Sequence, residues 1–96
     1  MRRSREDYDN IFYYRDRSFE VDFIRSSDHE VKELIQVCYD LSSPKTRRRE
    51  IDGLLKGAVR FRCSKLTLIT LDTYETIELE GHTIQIIPAT DWLLGK

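Results

Sequence analysis

The 96-residue chain is poor in cysteine, proline and glycine. It has two cysteines, two prolines and four glycines. Cys38 and Cys63 each stand beside apolar residues, with no Cys-x-x-Cys spacing and no loop cluster with His29 or His82. Neither a zinc site nor a disulfide framework is predicted. No apolar run approaches the roughly 20 residues of a membrane helix, and the polar N-terminus lacks a signal peptide's apolar stretch. We therefore expect a cytoplasmic protein.

The chain also lacks an excess of either charge. Its 16 Lys and Arg residues and 17 Asp and Glu residues leave a net charge of −1. This balance argues against nucleic-acid binding by bulk charge, although a local basic stripe could still contact phosphates. A hydrophobic fraction of 40% is ordinary for a folded chain, and the length allows one small core.

The hydrophobic pattern predicts a flexible arm over residues 1–10 and one α/β domain over residues 11–95. Strands are predicted at 11–15, 19–24 and 31–39, as an antiparallel meander. A helix is predicted at 44–61, with Ser43 as N-cap and Pro44 at its first position. A crossover then leads to a parallel strand at 65–71. A hairpin of 76–79 and 82–87 and a helical turn at 90–94 complete a mixed sheet.

The second predicted strand alternates with period two. Phe19, Val21 and Phe23 are predicted on one face, and Glu20 and Asp22 on the other. Ile24 is predicted on the acidic face, which makes that face mixed.

Polar groups on the second and third strands are predicted to converge. Antiparallel pairing around the turn at 26–29 places Asp22 opposite or diagonal to Gln36, with Glu20 and Cys38 next on the same face. Two carboxylates at alternate strand positions can form half of a Mg²⁺ site. The alternative interpretation is a solvent-exposed face of a hairpin.

Four segments carry a resemblance to a known family: Tyr13 to Ile24, Glu33 to Cys38, Lys45 to Ile51 and Ile84 to Leu94. Together they resemble the C-terminal domain of archaeal and bacterial AAA-type ATPases, a PD-(D/E)XK nuclease-like domain of unknown function. The resemblance implies a restriction-endonuclease-like fold. It covers roughly residues 11 to 95, but the first helix expected of that fold is missing or shortened. The chain has no G-x-x-x-x-G-K-[ST] motif, so we expect the terminal domain without the ATPase part.

The resemblance also implies site residues. Asp22 matches the metal-binding aspartate of active nucleases, and Gln36-Val37-Cys38 stands where they have Glu-x-Lys. An amide binds Mg²⁺ more weakly than a carboxylate does, and a thiol cannot replace an ammonium. Asp22, Glu20 and Gln36 are therefore predicted to be a degenerate catalytic set, with Asp22 and Glu20 as residual metal ligands. We expect cleavage to be lost or severely reduced.

Two further sets of residues leave alternatives open. Glu30-Val31-Lys32 also reads as Glu-x-Lys, but its position at the mouth of a turn favours an exposed loop over a migrated catalytic lysine. The cations Lys45, Arg47, Arg48 and Arg49 begin the predicted helix. They are interpreted either as a solvated helix face or as contacts to DNA or to an acidic partner.

Three hypotheses about function follow. The favoured one is a degenerate nuclease-like module that binds nucleic acid or protein in an ATPase system. The second is a Mg²⁺-dependent endonuclease that uses Asp22, Glu20 and Gln36, with Lys32 as its candidate lysine. This hypothesis requires a lysine within reach of the acids. The third is a dimerisation or docking unit whose meander edge pairs with a second copy.

Overall fold

The computed structural model describes residues 10–93, which form a six-stranded mixed sheet with one long helix packed on one face. The predicted α/β fold class is confirmed. Of the predicted arm, residues 1–9 lie outside the described residues, as do residues 94–96. The elements are β1 (Asn10–Arg15), β2 (Glu20–Ser27), β3 (Glu30–Val37), α1 (Pro44–Phe61), β4 (Leu66–Thr70), β5 (Glu75–Leu79), β6 (His82–Pro88) and α2 (Ala89–Leu93).

The strand order is β1-β2-β3-β4-β6-β5. β1, β2 and β3 form the predicted antiparallel meander. β3, β4 and β6 run parallel, and β5 returns antiparallel to β6 as the predicted hairpin. The carboxyl ends of the three parallel strands therefore lie at one edge of the sheet.

The bounds of α1 agree with the prediction because both ends are capped. The Ser43 hydroxyl accepts a hydrogen bond from the Thr46 N–H, and Pro44 occupies the first turn. At the other end Arg62 adopts a left-handed conformation, which allows the Cys63 N–H to reach the Ala58 carbonyl.

The β2–β3 turn is tighter than predicted. Asp28 and His29 both have positive φ, at 56° and 67°, as a two-residue type I′ turn requires. β2 consequently extends to Ser27, and β3 begins at Glu30. At its other end β3 stops at Val37 instead of continuing to Tyr39.

The predicted faces of β2 are wrong for Phe23 and Ile24. Phe12 pairs with Ile24 and Tyr14 pairs with Val21, so two β2 residues oppose the single intervening residue of β1. This β-bulge breaks the period of two and turns Ile24 onto the same buried face as Val21, while Phe23 is 46% exposed. The bulge explains the mixed face and places Asp22 at the irregularity.

The hydrophobic core lies between α1 and the sheet. Its buried members include Val21, Leu34, Leu54, Leu68 and Ile84. The opposite face of the sheet buries a polar group, Glu33, which accepts a hydrogen bond from the Thr67 hydroxyl at 2.7 Å and lies 3.3 Å from Arg25 Nε. Across residues 10–93, no helix has the length and apolar character needed to cross a membrane.

Candidate functional site

A cleft of about 480 Å³ lies between the β1–β2 turn, the bulged start of β2 and the first half of α1. It contains the predicted Asp22, Glu20 and Gln36. The other lining residues come from the turn and from α1: Arg15, Asp16, Arg17, Ser18, Phe19, Arg49, Glu50, Asp52 and Gly53.

Asp22 and Gln36 lie opposite each other, as predicted. The β2–β3 ladder proceeds through Ile24–Leu34 and Phe23–Ile35, and the same register would next pair Asp22 with Gln36. At this position the hydrogen bonds between the two strands involve the side chains of Asp22 and Gln36. The Asp22 N–H donates to Gln36 Oε1 at 2.9 Å, and the Val37 N–H donates to Asp22 Oδ2 at 2.9 Å.

The Gln36 amide joins β2, β3 and α1. Its Nε2 donates to the Glu20 carbonyl at 2.8 Å and, at 3.4 Å, to the Glu50 carbonyl. Gln36 is only 2% exposed, and these hydrogen bonds satisfy the polar atoms of its buried amide. Both polar atoms of the amide are thus committed to the fold.

The remaining predicted site residues also have hydrogen-bond partners. Glu20 Oε2 accepts from the Tyr13 hydroxyl at 2.8 Å. Cys38 lies outside the cleft lining, where its Sγ donates to the Asp40 carbonyl at 3.3 Å. Burial, followed by the neighbouring Glu50 carboxylate, raises the pKa of the Cys38 thiol.

Glu50 is the residue that the sequence interpretation missed. Its side chain is 16% exposed, and it lines the cleft from α1. Burial raises the pKa of Glu50 first, and the carboxylates of Asp22 and Glu20 raise it further, while Arg49 lowers it. Glu50 lies in a helix and is far from Glu20 and Asp22 in sequence, so the alternation of strand residues could not predict that it joins them. The only hint in the sequence was that Glu50 precedes Ile51, which the helical spacing predicts on the buried face of the helix.

The cleft lacks the second strand carboxylate of the donor set that active nucleases use to hold a metal ion. Among residues 10–93, no group of three or more His, Cys, Asp or Glu side chains is arranged to hold one. At the position of the second carboxylate, Gln36 supplies an amide oxygen already bound to the Asp22 N–H. We therefore assign no chemical step to a metal ion here.

Lys32 lies away from the acids. Its Nζ lies 2.8 Å from Glu30 Oε1, an exposed contact beside the β2–β3 turn that raises the pKa of Lys32 and lowers that of Glu30. Four strand residues, about 13 Å, separate Lys32 from Gln36. The described residues that line the cleft include no lysine.

The four cations predicted at the start of α1 separate into different surroundings. Arg49 lines the cleft and lies 3.6 Å from Glu50, whereas Arg47 points to β5 and forms a 2.8 Å ion pair with Glu75. Lys45 and Arg48 are exposed.

Two arginines that the sequence interpretation left unassigned, Arg15 and Arg17, line the cleft from the β1–β2 turn. Asp16 shapes this turn by accepting hydrogen bonds from the N–H groups of Ser18 and Phe19. The Tyr14 hydroxyl and these amides lower the pKa of Asp16 to about 2. Arg15, Arg17 and Arg49 form what we call the cationic rim.

Replacing Glu50 with glutamine is expected to raise stability at neutral pH. The folded-state pKa of Glu50 is raised, so the folded protein binds this proton more tightly than the unfolded chain does. The stabilising contribution of protonated Glu50 is therefore present at low pH. It is lost as pH rises through the pKa of Glu50 in the folded protein. Urea midpoints of wild type and Glu50→Gln should converge in acid and diverge above the ordinary glutamate range. The exposed Glu78→Gln control should show no such divergence; an identical pH profile for Glu50→Gln would contradict the assigned surroundings.

Comparison with known proteins gives one informative relative, a Methanocaldococcus jannaschii protein described as uncharacterized. It is 32% identical over 100 residues, covering 97% of this chain and 22% of the relative. The chain thus spans about a fifth of the length of that relative. No protein-family model and no solved structure matches the chain.

Proposed function

We propose that this chain is a nuclease-like domain that has lost catalysis and serves as an interaction module, binding nucleic acid or protein, in association with an AAA-type ATPase. The resemblance of residues 11–95 to the terminal domain of such ATPases suggests the association. The match to one part of a much longer relative is compatible with it.

The observation that carries the proposal is the role of Gln36. In an active relative this position supplies a metal-binding carboxylate, but here the buried amide holds β2 and α1 together. Cys38, in the place of the catalytic lysine, is a thiol directed at a backbone carbonyl. A neutral thiol cannot stabilise the charge that develops on a phosphate during hydrolysis.

The charges of the cleft favour binding without hydrolysis. The cationic rim can contact phosphates, whereas Glu20, Asp22 and Glu50 repel them from the interior of the cleft. Exposed Lys45 and Arg48 can extend the contact along α1. Because few cations take part, nucleic-acid affinity should be modest and should fall with salt.

A cleavage assay tests this proposal. Single- and double-stranded DNA incubated with the protein and Mg²⁺ or Mn²⁺ should remain intact, for wild type and for Asp22→Asn alike. Asparagine is the suitable replacement because its side-chain oxygen can still accept the Val37 N–H. Cleavage by wild type that Asp22→Asn abolishes would overturn the proposal.

Binding is measured in parallel by fluorescence anisotropy with the same DNAs. Arg17→Gln should weaken DNA binding and reduce its salt dependence, because each lost phosphate contact reduces counterion release. Arg62→Gln, an equal change of charge at the other end of α1, serves as the control. If neither DNA binds, DNA binding by the cationic rim is overturned.

One observation favours the endonuclease as a second candidate. Glu50 adds a third carboxylate to the lining of the cleft, and the charges of Asp22 and Glu20 raise its pKa. That candidate needs a cation in place of the lysine, and Arg49 is the nearest to Glu50. The same assay decides between the candidates.

The dimerisation hypothesis is favoured by a different surface. β1 is an edge strand whose Ile11, Phe12 and Tyr13 are all exposed. Such edges can pair with another strand. Light scattering that gives a dimer mass would favour this third candidate.

A further inference from the structure

Large exposed side chains follow each of the three parallel strands. Tyr39 follows β3 and is 65% exposed, Leu71 and Tyr74 follow β4 at 62% and 66%, and Trp92 and Leu93 lie in α2 after β6. We call these five residues the carboxyl-edge row. The Leu71 N–H donates to the Tyr39 carbonyl at 3.3 Å, which holds the first two strand ends together.

The row lies where open sheets commonly bind ligands, outside the carboxyl ends of parallel strands. Clustered exposed apolar side chains usually mark an interaction site, and Tyr and Trp are over-represented among the residues that dominate protein–protein binding. None of the five residues lines the cleft. The carboxyl-edge row is therefore a separate surface.

After each of the three parallel strands, an acidic residue is adjacent in sequence to a member of the row. The pairs are Tyr39-Asp40, Leu71-Asp72 and Asp91-Trp92. None of these carboxylates forms an ion pair within the described part of the chain. The Ser42 hydroxyl and N–H lower the pKa of Asp40, so it is ionised at neutral pH.

These charges decide which partner fits. A polyanion would meet the carboxylates of Asp40, Asp72 and Asp91, which are sequence neighbours of the row. Two of the five members of the row, Leu71 and Leu93, have no aromatic ring on which a base could stack. An apolar protein segment with lysine or arginine at its margins would cover the side chains and pair with the acids.

We propose that the carboxyl-edge row binds an apolar segment of a protein partner that carries basic residues. This inference rests on the proposed function as an interaction module and names the surface and chemistry of its protein partner. It does not depend on whether the cleft also binds DNA.

Trp92 provides the readout because it is the single tryptophan of the chain. The probe is an amphipathic helical peptide of leucine and lysine, free of aromatic residues. Covering Trp92 should shift its emission to shorter wavelength in a saturable titration. A matched peptide with glutamate in place of lysine should bind at least tenfold more weakly, because it meets like charges.

Three variants locate the site. Leu71→Ser should weaken peptide binding about tenfold, as expected when a central apolar contact is lost. Asp40→Asn combined with Asp72→Asn should weaken binding and flatten its salt dependence. Val59→Ser removes an apolar residue of α1 that is more exposed than Leu71, and it should leave binding unchanged.

Three results would overturn the inference: no binding of the lysine peptide, equal binding of both peptides, or unchanged affinity in Leu71→Ser. A shift of Trp92 emission by single-stranded DNA that Leu71→Ser abolishes would likewise overturn it, by identifying the occupant as nucleic acid. The proposed function fails by a different result, in the cleavage assay: metal-dependent cleavage by wild type that is lost in Asp22→Asn.

Discussion

Replacing Gly53 with alanine is expected to lower the free energy of unfolding by about 3 kcal/mol. A Cβ at this position would lie 2.7 Å from the Glu20 carbonyl oxygen and 2.6 Å from Gln36 Nε2. The carbonyl belongs to the backbone of β2 and cannot move aside without disturbing the sheet. This loss should outweigh the roughly 1 kcal/mol that alanine gains over glycine in a helix. Urea unfolding measures the difference.

Gly57 provides the matched control, one turn further along α1. There the closest atom to an added Cβ is Leu34 Cδ1 at 2.8 Å, the end of a side chain, and the next is Val21 Cγ2 at 3.2 Å. Both can shift, so the loss in Gly57→Ala should be less than half of that in Gly53→Ala. A Gly53→Ala protein as stable as wild type would show that α1 is not held close to β2.

Replacing Gln36 with alanine should also lower the free energy of unfolding by about 3 kcal/mol. The change removes two hydrogen bonds of 2.8–2.9 Å and a longer one. It leaves the partly buried Asp22 N–H and Glu20 carbonyl without the side chain that now pairs with them. Gln85→Ala is the control, because exposed Gln85 makes one side-chain contact, with Thr76, and its loss should cost about 0.5 kcal/mol or less.

Gln36→Glu separates structure from chemistry at the same position. It restores the acid of active nucleases, but its carboxylate would face the carbonyl oxygens of Glu20 and Glu50. We expect this variant to be less stable than wild type at neutral pH and to cleave no DNA. Wild-type stability in both Gln36→Ala and Gln36→Glu would contradict the structural role.

The sequence was sufficient to predict the order and type of the elements. Helix α1 was predicted correctly because its signals are local: Ser43 and Pro44 begin it, and apolar residues repeat at helical spacing. The parallel pairing of β3 and β4 followed from the length of the crossover.

The faces of β2 could not be predicted, because a bulge depends on how neighbouring strands fit together. Nothing in Phe19–Ile24 shows that Phe23 is exposed and Ile24 buried. The β2–β3 ladder also shifts register, between Arg25 and Ser26, so counting straight from the Ser27–Glu30 pair would set Asp22 opposite Ile35. The prediction allowed Asp22 to lie opposite or diagonal to Gln36, and this second bulge is what places the two residues directly opposite.

The site was predicted only where its members lie on paired strands. Glu50, Arg15 and Arg17 come from a helix and a turn, and tertiary packing alone brings them to Asp22. The distribution of the helix cations was equally inaccessible, since the partner of Arg47 is Glu75, 28 residues away. The metal and nucleic-acid contacts remain predictions.

The central claim, that the cleft is a nuclease-like site that no longer holds a catalytic metal ion, is tested most directly by calorimetric titration with Mg²⁺ and Mn²⁺. Metal binding is the step that every hydrolytic version of this site requires. Wild type and Asp22→Asn should give the same result, with no saturable binding in the cleft. Saturable binding to wild type that disappears in Asp22→Asn would contradict the account and establish a working metal site.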